Sequence, residues 1–144
     1  ELLPLATIVT PNIPEAETIS GLKIATLGDM EAAAKVIRRR GVKYVYVKGG
    51  HRLADATDVF FDGREVQHFT APRIAAVNPH GTGCTLSSAM AANLARGYGV
   101  RAAVAAAKQY ITVAIDHALP LGKGAGPTHH FYTLYHRAGM FDDC

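Results

Sequence analysis

Apolar positions change their period along the chain, and the changes mark its elements. Ala6-Thr-Ile-Val-Thr10 is a β-branched run closed by Pro11-Asn12, the pattern of a buried strand emptying into a loop. Ile13 to Ser20 reads as a short helix. From Asp29, a suitable N-cap, Met30, Ala33, Ala34 and Ile37 recur at helical spacing, while Arg38-Arg39-Arg40 suits the C-terminal end and Gly41 stops the helix. Lys43 to Lys48 alternates as a second strand, ended by Gly49-Gly50. Val59-Phe-Phe and Val66-Gln-His-Phe flank Asp62-Gly63, a dipeptide suited to the positive φ angles of a tight hairpin turn, and so predict an antiparallel pair. A helix from about Thr85 to Arg96 follows, with Leu86, Met90 and Leu94 on one face and Gly97 as its stop. A longer one runs from Arg101 to about Ala118 and carries Val104, Ile111 and Ile115. Gly122 to Pro127 is a flexible segment before a polar, aromatic tail.

Strand, helix, strand, hairpin, helix, helix is the order of an α/β layered domain. A parallel pair is joined through the Asp29–Arg40 helix, and antiparallel strands lie at one edge. Ligands of such sheets sit beyond the carboxyl ends of the strands. Asn12, Lys48 and Cys84 fall at such ends or at a helix start, so the three are expected to converge.

Composition narrows the class. At 144 residues, 49% hydrophobic and 19% charged, the chain is long enough to bury a core. Its net charge of +3 comes from 15 basic and 12 acidic residues scattered in both signs, without the basic stripe that nucleic-acid binding needs, so no nucleic-acid partner is expected. No apolar run approaches the roughly 18 residues of a membrane span, and Glu1-Leu2-Leu3-Pro4 has no signal-peptide pattern; the expectation is a cytoplasmic protein without a membrane partner. Cys84 and Cys144 are too few for a disulfide framework, and no paired His/Cys spacing suggests zinc. The chain opens on Glu1 with its first methionine at Met30, and it reads as a piece of something longer.

Candidate chemistry clusters at the glycines. Gly81 and Gly83 let the backbone turn tightly and approach a ligand, while the free N–H groups of the helix starting near Cys84 suit an anion, most simply phosphate. A helix N-terminus favours thiolate, which makes Cys84 a candidate base or nucleophile. The bland alternative is a tight loop beside a small buried hydrophobe. Asn12-x-x-Glu15 places an amide and a carboxylate one helical turn apart, able to hold the water shell of Mg²⁺, or simply to cap a helix. Lys48 before two glycines reaches a phosphate or ends a strand in solvent. His51 and His80 flank the same region and are as readily structural. Gly122, Gly124 and Gly126 suit either a loop over a nucleotide or a solvated linker, and His129-His130 lacks metal-ligand spacing.

Four motifs in order carry a resemblance: Thr10-Pro-Asn-x-x-Glu15-Ala16, Val47-Lys-Gly-Gly-His51, Asn78-x-His-Gly-Thr-Gly-Cys-Thr-Leu86, and Pro120-Leu-Gly-Lys-Gly-x-Gly-Pro127-x-x-His-Phe131. Together they resemble the hydroxymethylpyrimidine (phosphate) kinases of thiamine biosynthesis, in the ribokinase-like superfamily. The resemblance implies a ribokinase-like layered α/β sheet with flanking helices. It also implies phosphoryl transfer from ATP, with Mg²⁺, to a small pyrimidine alcohol and then to its monophosphate. By position, Asn12 and Glu15 match the residues that position phosphate and Mg²⁺, Glu15 reaching the metal through water. Lys48 matches a nucleotide-side lysine, and Gly81, Thr82, Gly83 and Cys84 match the anion hole, with Cys84 where sugar kinases of the superfamily keep an aspartate base. His80 matches a histidine near the transferred phosphate, and Gly122 and Gly124 lie in a segment on the nucleotide side. Family members are considerably longer. Residues 1–131 match their carboxy-terminal half, 132–144 form an unassigned tail, and the expected partners are the missing amino-terminal half, a second copy, or both. A pyridoxal-type kinase and a non-catalytic binding module of the same fold are the alternatives.

Overall fold

The computed structural model describes residues 2–50, 56–71, 81–119, 121 and 126–140. The chain divides into two compact units, Glu1–Arg73 and Ile74–Cys144.

The first unit is built on four strands, β1 (Ile8–Val9), β2 (Tyr44–Val47), β3 (Asp58–Phe61) and β4 (Val66–Phe69), hydrogen-bonded in that order. β1 and β2 run parallel with Ile8 opposite Tyr44, while β2–β3 and β3–β4 are antiparallel. Between β1 and β2 the chain makes two helices, α1 (Ile13–Ser20) and α2 (Leu27–Arg39). Because side chains alternate across a sheet, Val45, Val47, Val59 and Phe61 share one face. They pack there with Ala16, Met30, Ala34 and Ile37 from the helices. Each large apolar side chain so buried contributes roughly 1.5–3 kcal/mol. The opposite face is aromatic: Tyr46 and Phe69 lie 6.0 Å apart by ring centroid, and Phe60 meets Phe69 edge-on at 6.5 Å.

In the first unit, the cap of α2 and the width of the hairpin differ from the sequence expectation. Helix α2 is capped by Thr26, not Asp29. The Asp29 amide donates to the Thr26 hydroxyl at 3.2 Å, and the Asp29 carboxylate accepts from the Thr26 amide at 2.8 Å, a reciprocal box that satisfies two amides at the helix start. The hairpin is also wider than a dipeptide turn. Phe61 pairs with Val66, and the Asp62 carboxylate accepts from the amides of Arg64 and Glu65, each at 2.8 Å, so a side chain organises the turn with Gly63 at φ 97°.

The second unit contains α3 (Thr82–Ala95), α4 (Val100–Asp116) and the short α5 (Tyr132–Arg137). Helix α3 starts earlier than the expected Thr85, because Gly81 supplies the turn that launches it. Helices α3 and α4 bury Leu86 and Met90 on the first, and Ala103, Val104, Ala107, Ile111 and Ala114 on the second. The expected Leu94 and Ile115 are only half-buried. Tyr132 of α5 stacks on His117 at 3.4 Å, which ties the tail to the end of α4.

Thr26→Ala should destabilise the chain by about 1 kcal/mol, as loss of a helix cap does. Urea denaturation of the variant against wild type measures this, and no change would mean that Asp29 alone starts the helix.

Candidate functional site

In the first unit, the chemistry follows from strand pairing. The parallel ladder of β1 with β2 carries on past the strand ends to a bridge between Asn12 and Lys48, and the Lys48 amide donates to the Pro11 carbonyl at 2.8 Å. Asn12 then caps α1. Its side-chain oxygen accepts from the Glu15 amide, and the Glu15 carboxylate accepts from the Asn12 amide, both at 2.8 Å. The capping reading of Asn12-x-x-Glu15 is the one this geometry shows. The box engages Asn12 Oδ1 and Glu15 Oε2, while Asn12 Nδ2 and the second Glu15 oxygen carry the remaining polar capacity of an exposed carboxylate beside Lys48's strand end.

In the second unit, Gly81 precedes α3 with φ 83°, and among the described residues no side chain caps the helix. A Cβ at Gly81 would meet nothing within 4 Å among the described residues, and its φ of 83° is the left-handed backbone that favours glycine. The first intrahelical bond runs from the Thr85 amide to the Gly81 carbonyl at 2.9 Å, which leaves the amides of Thr82, Gly83 and Cys84 in the uncapped first turn. Such a turn attracts anions. Cys84 is a free thiol and is exposed in this chain. It opens on a cavity of about 770 Å³ between α3 and α4, lined also by Ser88, Asn93, Arg96, Tyr110 and His130.

The structure adds a pair that the motif reading missed. Asp58, buried at 4% exposure, accepts at one oxygen from the Gly49 amide and at the other from the Tyr46 hydroxyl, both at 2.7 Å. Burial first, then the Asp58 charge and hydrogen bond, push the Tyr46 phenol far above its ordinary range, so it stays a neutral donor. A lone acidic residue opening an otherwise apolar strand, Asp58-Val-Phe-Phe61, was the available signal.

Of the expected site residues, Asn12, Glu15 and Lys48 are gathered at the strand ends of the first unit, and Gly81, Thr82, Gly83 and Cys84 form the helix start in the second. His51, His80, Gly122 and Gly124 lie outside the described residues, as does the end of the tail from 141. Among the described residues, no group of three or more His, Cys, Asp or Glu is placed to hold a metal by itself, and no helix is long and apolar enough to cross a membrane.

Residues 1–129 match the phosphomethylpyrimidine kinase family. The chain is 52% identical over 130 residues to the thiamine biosynthesis bifunctional protein ThiED of Geobacter sulfurreducens, covering 90% of this chain and 26% of that protein. It is 50% identical over 136 residues to the hydroxymethylpyrimidine/phosphomethylpyrimidine kinase of Rhizobium meliloti, covering 92% of this chain and 51% of the relative. Among solved structures, an ADP complex of Bacillus subtilis pyridoxal kinase superposes with a TM-score of 0.87 at 41% identity, over 92% of this chain and 51% of the other, which places the mixed sheet and its helices in the ribokinase-like fold. The chain therefore spans about half the length of the single-function kinase that it matches, and about a quarter of the bifunctional one.

The Tyr46–Asp58 pair has a pH signature. A phenol held neutral by the fold contributes stability that is complete below the tyrosine's unfolded pKa, about 10, and is lost as pH rises above it, because the unfolded chain releases a proton the folded one keeps. Unfolding free energy measured from pH 8 to 11 should fall less steeply for Tyr46→Phe than for wild type. Identical alkaline limbs would contradict the pairing.

Proposed function

Because this chain belongs to the phosphomethylpyrimidine kinase family, we propose that it supplies the nucleotide side and catalytic loop of a longer cytoplasmic kinase, with residues 1–131 as the carboxy-terminal half of the kinase domain. The reaction is ATP-dependent phosphorylation of 4-amino-5-hydroxymethyl-2-methylpyrimidine and then of its monophosphate, in thiamine biosynthesis. The observation that carries the reading is the uncapped start of α3, where Gly81 turns the backbone and an exposed thiol stands on the first turn.

Each residue's part follows from its chemistry. Cys84, as thiolate, accepts the proton of the substrate hydroxyl while the hydroxyl oxygen bonds to the γ-phosphorus of ATP. The bond from that phosphorus to the bridging oxygen breaks, and ADP leaves with the electron pair. In the second round a phosphate oxygen of the monophosphate is the attacking atom, and the product is the pyrophosphate. The amides of Thr82, Gly83 and Cys84 donate to the oxygens of the migrating group, so most of the catalysis is positioning and charge stabilisation. Lys48 supplies a point charge to the nucleotide phosphates, and His80, Gly122 and Gly124 complete the nucleotide side. Magnesium, when bound, neutralises phosphate charge. Glu15, one of whose oxygens is engaged by the capping box, fits a role through water better than full chelation.

The remainder of the protein completes the pyrimidine site. Helix α3 has no charged residue in its 14 positions, yet Cys84, Ser88, Ala91, Ala92 and Ala95 on it are exposed. An uncharged helix that exposes a run of alanines is suited to being covered. The proposed cover is the half that the longer relatives possess and this chain does not, with a further copy of the whole as the second expected partner.

In the complete kinase, Cys84→Ala should lower kcat with ATP and the pyrimidine alcohol by about 10²–10⁴-fold, the usual range for a lost general base, with ADP affinity kept. Turnover close to wild type would remove Cys84 as the base. The same assay with pyridoxal as the alcohol separates the acceptors, and a higher kcat/KM for pyridoxal would overturn the pyrimidine assignment.

A further inference from the structure

We propose that Asp58 is a positioning residue for Lys48, holding the turn that aims its side chain at the nucleotide. The proposal rests on the reading of Lys48 as a nucleotide-side lysine.

The backbone on both sides of Lys48 is fixed. Its own amide donates to the Pro11 carbonyl at 2.8 Å, and the next amide, that of Gly49, donates to Asp58 Oδ1 at 2.7 Å. Gly49 has no freedom to drift. A Cβ there would lie 1.8 Å from the Thr57 carbonyl oxygen, so the turn presses directly onto the residue before Asp58. With the peptide units before and after it tied to β1's exit and to β3's start, the φ and ψ angles of Lys48 are set, and with them the direction of its Cβ.

The choice of an acid also needs explaining. A buried carboxylate is costly unless it is hydrogen-bonded, and ending a strand requires no charge. Asp58 sits on the aromatic face beside Phe60 and Phe69, where an ionised side chain can accept from two donors at once: Gly49, whose position controls Lys48, and Tyr46, which holds the carboxylate in register. Asp58 itself is buried, so the role assigned to it is exercised through the turn.

The test is ADP affinity by titration calorimetry on the complete kinase, with Lys48→Ala, Asp58→Asn, Tyr46→Phe and the doubles with Lys48→Ala, alongside melting temperatures. Asp58→Asn and Tyr46→Phe should each weaken ADP about five-fold, the size of one perturbed hydrogen bond, while the affinity for the pyrimidine alcohol stays within about two-fold. In the Lys48→Ala background the same substitutions should add nothing, because coupled residues are not additive. Lower melting temperature with unchanged ADP affinity would overturn the proposal, as would an undiminished effect in the Lys48→Ala background. Unchanged affinity for Lys48→Ala itself would instead overturn the reading of the lysine, and the positioning role with it. Should Asp58→Asn fail to fold, Tyr46→Phe carries the same comparison.

Discussion

The bridge between Asn12 and Lys48 is the contact on which the layout of the first unit's strand ends depends. Parallel strands do not end in a shared turn, so their carboxyl ends stay open unless a contact beyond the ladder fixes them. Here the ladder of β1 and β2 runs on to Asn12 and Lys48, and the Lys48 amide is taken by Pro11. Asn12 is at the same time the cap of α1, so one residue fixes the strand end and the helix start together. The helices that follow bury Ala16, Met30, Ala34 and Ile37 on the valine face of the sheet, and that packing holds the strand ends in place.

The helix starts are of two kinds. At α1 and α2, reciprocal boxes of Asn12 with Glu15 and Thr26 with Asp29 consume the amides that a ligand would otherwise take. At α3 the preceding residue is a glycine, no side chain among the described residues caps the helix, and the first turn holds no acid. Leaving those donors uncapped costs stability, and that cost is offset if an anion completes them. A thiol on that turn then stands within the same field that would hold a transferring phosphoryl group.

Much of this was legible in the sequence, for identifiable reasons. Helix α1 was predicted with its observed bounds, because Pro11-Asn12 and Gly21 punctuate it on both sides. The parallel pair and the antiparallel hairpin at one edge followed from the crossover and the turn, while the placing of the hairpin beside β2 is set by the β2–β3 pairing. The cap of α2 was misplaced because Asp29 is itself a good cap residue, and only the spacing Thr26-x-x-Asp29 distinguishes the third helical position from the first. The start of α3 was read late because threonine and glycine at its first positions look like loop, and the φ of Gly81 decides the matter. Tyr46 and Asp58 stayed hidden for a different reason. Their pairing is a matter of strand register, in which Tyr46 opposes Phe60 and Asp58 opposes Phe69 on the same face, and no local motif encodes that. The site residues themselves were named by motif, and the first unit pairs Asn12 with Lys48 in an isolated bridge.

The measurement that bears most directly on the function is a crystal structure of the complete protein with a non-hydrolysable ATP analogue, Mg²⁺ and the pyrimidine alcohol. The expected result has the γ-phosphate about 3 Å from the amides of Thr82 to Cys84, within hydrogen-bond reach, with the Lys48 ammonium on the phosphates and the Cys84 sulfur facing the substrate hydroxyl. A nucleotide whose phosphates contact neither Lys48 nor the start of α3, or an alcohol bound away from Cys84, would contradict it.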